Sequence, residues 1–73
     1  MLGYSLHMQQ LNKKADAKNL GVRLGRYCIR CNIPVITVAK QMGLSRQAVY
    51  NWFVGRSAPS AEMAQKISKL YPV

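Results

Sequence analysis

The chain has 73 residues, of which 49% are apolar and 18% are charged. A chain of this length forms one small domain with a modest core. No apolar run approaches the ~20 residues that span a bilayer. The first seven residues lack the basic start and long apolar stretch of a signal peptide. These features predict an intracellular, cytoplasmic protein without a membrane anchor.

The strongest compositional signal is positive charge. Eleven Lys and Arg residues stand against two acidic residues, Asp16 and Glu62, for a formal net charge of +9 at pH 7. Pairing within the chain cannot neutralise this surface, so a polyanionic partner is indicated. A basic surface that only improves solubility is the alternative. A membrane-surface peptide is less favoured, because the basic residues are spread over several predicted elements.

Residues 1–15 show no strong hydrophobic periodicity and are predicted to form a flexible or loosely docked N-terminal arm. Residues 16–73 are predicted to form the folded domain. Lys13, Lys14 and Lys18 lie at this boundary. They are interpreted either as an arm that follows a polyanionic backbone or as a solvated basic segment.

The first predicted helix covers residues 17–31, with Asp16 as its N-cap. Its apolar positions recur at helical spacing and comprise Leu20, Leu24, Tyr27, Cys28 and Cys31. Gly21 and Gly25 fall inside this helix, where each glycine costs about 1 kcal/mol relative to alanine. We therefore expect a neighbouring helix to approach closely at the glycines.

Two short helices are predicted next, over residues 35–42 and 46–54. Gly43 is placed where a left-handed C-cap residue belongs, and Ser45 is a good N-cap for the second of the two helices. A last helix is predicted over residues 59–70, opened by Pro59. No segment alternates with period two, so the fold class is predicted to be all-α.

The helix predicted over residues 46–54 has a polar face opposite Val49, Trp52 and Phe53. A helix that reads DNA presents such a face to the major groove, where Gln and Asn can pair with adenine and Arg with guanine. The residues predicted for base readout are Arg46, Gln47, Tyr50 and Asn51. Those predicted for phosphate contacts, which fix the register on the duplex, are Ser45, Lys40, Arg56 and Ser57.

The segment from about residue 20 to residue 73 resembles the helix-turn-helix of the lambda-type repressor and Cro family, also called XRE-like. The residues that carry this resemblance are Ala39, Gly43, Leu44, Val49, Trp52, Gly55, Arg56, Pro59 and Ser60. The resemblance implies a compact four- to five-helix lambda-repressor-like domain that binds double-stranded DNA. It also implies a role in transcription regulation in a bacterium or a phage, at the nucleoid or in the host cytoplasm.

Three positions depart from the family pattern. Val35 occupies a position where many members have a glutamine that supports a phosphate contact. Cys28 and Phe53 replace an arginine–glutamate pair, and the exchange of both ions for apolar groups is often neutral or stabilising. Many relatives also have a further helix or tail that dimerises, whereas this sequence runs only to Val73. A homodimer on DNA is therefore an open expectation.

No catalytic constellation is present, so an enzyme, a cofactor and a small-molecule substrate are not expected. Cys28 and Cys31 form a C-x-x-C pattern, but His7 is the only further candidate ligand for a metal. Two thiols in a helical core stripe are the preferred interpretation. The alternative functions are an antitoxin-like or host-factor-binding protein-interaction module with the same fold, and a nonspecific nucleic-acid binder that acts through charge.

Overall fold

The computed structural model describes residues 3–73, and within that range it contains five helices and no strand. The helices are α1 (Leu6–Lys14), α2 (Leu20–Cys31), α3 (Val35–Met42), α4 (Arg46–Phe53) and α5 (Ala61–Leu70). They enclose one apolar core. Its largest fully buried side chains are Phe53, Leu24, Ile67, Val22, Val38, Val49 and Cys28. The prediction of an all-α fold is confirmed.

Helix α1 differs from the predicted flexible or loosely docked arm over residues 1–15. Ser5 is its N-cap and accepts a hydrogen bond from the Met8 amide at 3.1 Å. Tyr4 and Met8 are buried in the core. The hydroxyl of Tyr4 also donates to the carbonyl of Ile33 at 2.6 Å. Burial of these side chains explains why the segment is a packed helix; residues 1 and 2 of the predicted arm lie outside the described residues.

The C-terminal end of α1 is held by Arg26 of α2. The guanidinium donates hydrogen bonds to the carbonyls of Lys13 and Ala15, both at 3.1 Å. The last carbonyls of a helix have no partner within the helix, and a cation next to them also interacts favourably with the helix dipole. Arg26 thus fastens α1 to α2.

Asn12 is the buried polar residue that joins α1 to the rest of the domain. Its side chain is 2% exposed. The amide nitrogen donates to the carbonyl of Val22 at 3.2 Å and to the carbonyl of Phe53 at 2.5 Å. Phe53 is the last residue of α4, so its carbonyl lacks a partner within that helix. A side chain of α1 therefore caps α4.

Helices α2 and α4 approach each other closely at the two glycines of α2. A Cβ atom added at Gly21 would lie 2.6 Å from the Cβ of Trp52. One added at Gly25 would lie 2.8 Å from the Cγ of Phe53. The close approach of a neighbouring helix, predicted from these glycines, is confirmed.

Two helix starts differ from their predicted positions. Helix α2 begins at Leu20, because Asn19 is the N-cap and its side chain accepts from the Gly21 amide at 2.8 Å. The Asp16 carboxylate, predicted to be this cap, instead accepts from the Lys18 amide at 2.9 Å in the preceding turn. Helix α5 begins at Ala61, two residues beyond Pro59, with Ser60 as its N-cap.

The two cysteines are free thiols in different environments. Cys28 is fully buried in the core, whereas Cys31 is exposed, although it was predicted to belong to the buried stripe. Burial raises the pKa of the Cys28 thiol to about 12, and the neighbouring Cys31 acts in the same direction. Cys28 therefore stays protonated at neutral pH and behaves as a small core side chain.

The close contact at Gly25 predicts that a glycine-to-alanine change destabilises this helix, although the same change usually stabilises one. In an exposed helix interior, the change stabilises by about 1 kcal/mol. At Gly25 the added methyl group would force α2 and α4 apart, so we expect Gly25→Ala to lower the free energy of unfolding by about 1–3 kcal/mol, measured by urea denaturation. Ser68→Ala at an exposed site of α5 is the control and should be neutral or slightly stabilising. A stabilised Gly25→Ala variant would contradict the packing described.

The buried hydroxyl and thiol predict a loss of stability in alkali. Burial raises the pKa of Tyr4 above its usual value of 10.0 and that of Cys28 to about 12. Both groups hold their proton more tightly in the folded state, so their contribution is complete below the unfolded-state pKa and is lost as pH rises towards the folded-state pKa. We expect the melting temperature to fall above about pH 9.

Tyr4→Phe is the matching variant for this alkaline effect. It loses the hydrogen bond to the carbonyl of Ile33 and should melt at a lower temperature at pH 7. Between about pH 9 and 11, the melting temperature of this variant should fall less than that of the wild type, because one titrating group is gone. Identical declines in the two proteins would show that Tyr4 does not contribute to it.

Candidate nucleic-acid interface

The turn between α3 and α4 is built by a left-handed glycine and a serine cap. Gly43 has φ 70° and ψ 33°, and the amide of Leu44 donates to the carbonyl of Ala39 at 2.9 Å. A Cβ at Gly43 would have no atom within 4 Å, so the backbone conformation, and not space, favours glycine here. The Ser45 hydroxyl accepts from the amide of Ala48 at 3.2 Å. Both caps agree with the sequence prediction.

Helix α4 has one buried face and one open face. Val49 and Phe53 are fully buried and Trp52 is nearly so. Arg46, Gln47 and Tyr50 are exposed, and Asn51 is half-buried. The structure therefore places three of the four residues predicted for base readout in solvent on a helix whose opposite side is fixed in the core.

Gln47 and Asn51 form a pair on the surface of α4. The amide nitrogen of Gln47 donates to the side-chain oxygen of Asn51 at 3.1 Å. Gln47 retains its own oxygen and one N–H, which together make the bidentate pattern that matches adenine. The oxygen of Asn51 accepts this bond, so Asn51 holds Gln47 in place and still has its N–H groups and one lone pair of the oxygen for a base.

The loop after α4 is tied to the end of that helix and to α2. The backbone carbonyl of Asn51 accepts from the amides of Arg56 at 2.9 Å and Ser57 at 3.3 Å. Gly55 has a φ of 81°, which allows the chain to turn back. The side chain of Asn19 donates to the carbonyl of Ser57 at 2.9 Å. Arg56 and Ser57 are consequently exposed at a fixed position beside the C-terminal end of α4.

The remaining residues predicted for phosphate contact lie on the same two helices. Lys40 is exposed in the last turn of α3, and Ser45 is exposed at the N-terminus of α4. In the sequence, Lys40 and Ser45 precede the exposed residues of α4, and Arg56 and Ser57 follow them. The N-terminus of a helix offers unpaired N–H groups and a positive dipole end, which favour an anion.

The three departures from the family pattern lie at buried positions. Val35 is buried, and the N-terminus of α3 has no side-chain cap, since Pro34 occupies that position. Cys28 and Phe53 are fully buried members of the same apolar cluster. The described structure thus holds α2 and α4 together through apolar contact at the positions where many relatives use an ion pair.

Asn12 and Asn19 position α4 and its following loop, and neither was singled out from the sequence. Ser5 in a cap position, preceded by Tyr4 and followed by Met8 and Leu11, is the signal that indicates α1. The polar Asn12 obscured this pattern, because a buried asparagine on the inner face of a helix reads as solvent-exposed in a sequence.

All Lys and Arg side chains except Arg26 are exposed, which gives the domain a strongly basic surface. Among residues 3–73, no cluster of three or more His, Cys, Asp or Glu side chains is arranged to hold a metal ion. None of the helices in the described range has the length and apolar character needed to cross a membrane.

Within residues 3–73, five helices without a strand and a helix–turn–helix with an open polar face define an all-α, lambda-repressor-like domain. The profile of the Cro-type, XRE-like helix-turn-helix family matches residues 24–73, which is more than half of the chain. The chain belongs to this family. Comparison with curated proteins and with solved structures gives no match.

Proposed function

We propose that the chain is a sequence-specific regulator of transcription of the Cro/repressor type, which binds double-stranded DNA with α4 in the major groove. The observation that carries this proposal is the open face of α4, with Arg46, Gln47 and Tyr50 exposed on a helix whose opposite face is buried. Its place of action is the cytoplasm or nucleoid of a bacterium, or the host cytoplasm if a phage encodes it.

Base readout is assigned to Arg46, Gln47, Tyr50 and Asn51. Arg46 is the donor for guanine and Gln47 is the partner for adenine. Tyr50 is 36% exposed and can contact a thymine methyl group or a phosphate. Asn51 orients Gln47 through the hydrogen bond described above and contributes its own N–H groups. A pre-oriented side chain loses less freedom on binding, which favours affinity.

Phosphate contacts are assigned to the residues on either side of this face. Ser45 and the N-terminus of α4 contact one phosphate, Lys40 adds a charge from α3, and Arg56 with Ser57 contacts the backbone from the loop after α4. Such contacts fix the register of the protein on the duplex without reading sequence. The net charge of +9 predicts binding that weakens steeply with salt.

Selection of bound duplexes from random DNA tests the proposal. Enrichment of a two-fold symmetric site with half-sites about one helical turn apart would support a homodimer on DNA, and one half-site would support a monomer. Absence of any enriched sequence would contradict specific recognition. A stoichiometric protein partner that displaces DNA would instead support the protein-interaction function of the same fold.

Gln47→Ala separates base readout from general attraction. On the selected site, we expect a loss of about 1–3 kcal/mol in binding free energy, because the bidentate contact with adenine is removed. On an unrelated duplex of the same length the loss should be small. Both affinities are measured by fluorescence anisotropy at one fixed salt concentration. Equal small losses of affinity on both duplexes would show that Gln47 does not contact a base.

Arg56→Ala is the matched comparison, since it removes a side chain assigned to a phosphate. It should weaken binding to both duplexes alike and reduce the slope of log K against log salt by about one. A loss of affinity mainly on the selected site would show that Arg56 contacts a base and not a phosphate.

A further inference from the structure

The structure places the α1–α2 connection, residues 15–19, directly against the loop after α4. A Cβ added at Gly55 would lie 3.1 Å from the Cβ of Ala15. At the other end of the connection, the Asn19 side chain donates to the carbonyl of Ser57 at 2.9 Å. A close approach at Gly55 and a hydrogen bond at Ser57 therefore bring these loops together on both sides of Arg56.

Residues 13–19, which comprise the end of α1 and the α1–α2 connection, carry three lysines, Lys13, Lys14 and Lys18, against one aspartate, Asp16. Lys14 ends α1 and Lys18 lies in the connection itself, and both are exposed. Asp16 is the one acidic residue of this segment, and its carboxylate accepts a hydrogen bond from the Lys18 backbone amide at 2.9 Å. That bond fixes the turn that carries the Lys18 side chain.

Arg26 ties the start of this connection to α2. Its guanidinium donates to the carbonyls of Lys13 and Ala15. A long flexible arm loses much conformational freedom on binding DNA, whereas a segment already tied to α2 and to the Ser57 loop loses little. The lysines are thus presented from a fixed surface.

We propose that the α1–α2 connection is a second DNA-backbone contact, in which Lys18, with Lys14 beside it, binds phosphates next to those assigned to Arg56. The inference rests on the proposed DNA-binding function. It extends the interface beyond residues 24–73, which the family profile covers, to a segment outside them. Phosphate contacts of this kind add affinity and salt dependence without adding sequence preference.

Lys18→Ala is the test, because Lys18 lies outside α1 and its loss leaves the end of that helix unchanged. We expect affinity to fall about fivefold at 0.15 M salt on the selected site and on an unrelated duplex alike, with a slope of log K against log salt reduced by about 0.9. The melting temperature of the free protein should not change.

Lys66→Ala is the charge-matched control, since Lys66 is exposed on α5. It removes the same charge and should change affinity less than twofold, with an unchanged salt slope. Equal effects of Lys18→Ala and Lys66→Ala would overturn the inference, because they would show that only net charge matters.

The two proposals fail in different ways in this experiment. If Gln47→Ala weakens the selected site alone and Lys18→Ala has no effect, specific recognition stands and the second contact is refuted. If the wild type prefers no sequence, specific recognition is refuted. The comparison of Lys18→Ala with Lys66→Ala on any duplex still decides the second contact, since phosphate binding needs no preferred sequence.

Discussion

The close contact of α2 with α4 is the constraint on which the domain depends. Gly21 and Gly25 remove the side chains that would keep the helices apart, and Trp52 and Phe53 of α4 occupy the space. Asn12 then uses one amide group to join a carbonyl of α2 to the last carbonyl of α4. Because buried packing tolerates little change in volume, this contact fixes the direction in which α4 points. The open face of α4 follows from that direction.

The forces that position α4 differ from those assigned to DNA binding. Cys28 and Phe53 are apolar and fully buried where many relatives have an ion pair, so the α2–α4 contact depends on packing and on the Asn12 hydrogen bonds. Such contacts are insensitive to salt, whereas attraction between a basic surface and phosphates falls steeply with salt. Salt should therefore change the proposed affinity for DNA without loosening the α2–α4 contact, because the two sets of interactions share no charged group.

Local signals in the sequence predicted the helix–turn–helix well. Gly43 and Ser45 are caps whose chemistry depends on their immediate neighbours, so α3 and α4 could be located within one residue. The start of α5 was less clear, because Pro59 and Ser60 are both favourable residues at a helix start and only the hydrogen bond from the Met63 amide identifies Ser60 as the cap.

Contacts between residues far apart in the sequence could not be predicted from it. Ser5 and the apolar residues around it indicate a helix, but the burial of Asn12 on its inner face depends on the carbonyls of residues 22 and 53. Likewise Asn19 holds Ser57 across a separation of 38 residues. In the candidate site, the residue types and the open face were predictable from helical spacing. The pairing of Gln47 with Asn51 was not, since it depends on the rotamers that the two side chains adopt.

Atom-by-atom modification of the bound duplex tests most directly whether α4 reads base edges in the major groove, as proposed. In the selected site, each adenine or guanine is replaced in turn by its 7-deaza analogue, which lacks the major-groove N7 acceptor; inosine in place of guanine removes the minor-groove amino group. If α4 reads the major groove, 7-deaza substitution at one or more positions lowers affinity about tenfold, within the range of a lost bidentate contact, and inosine has little effect. Sensitivity to inosine with indifference to every 7-deaza substitution would contradict this proposal.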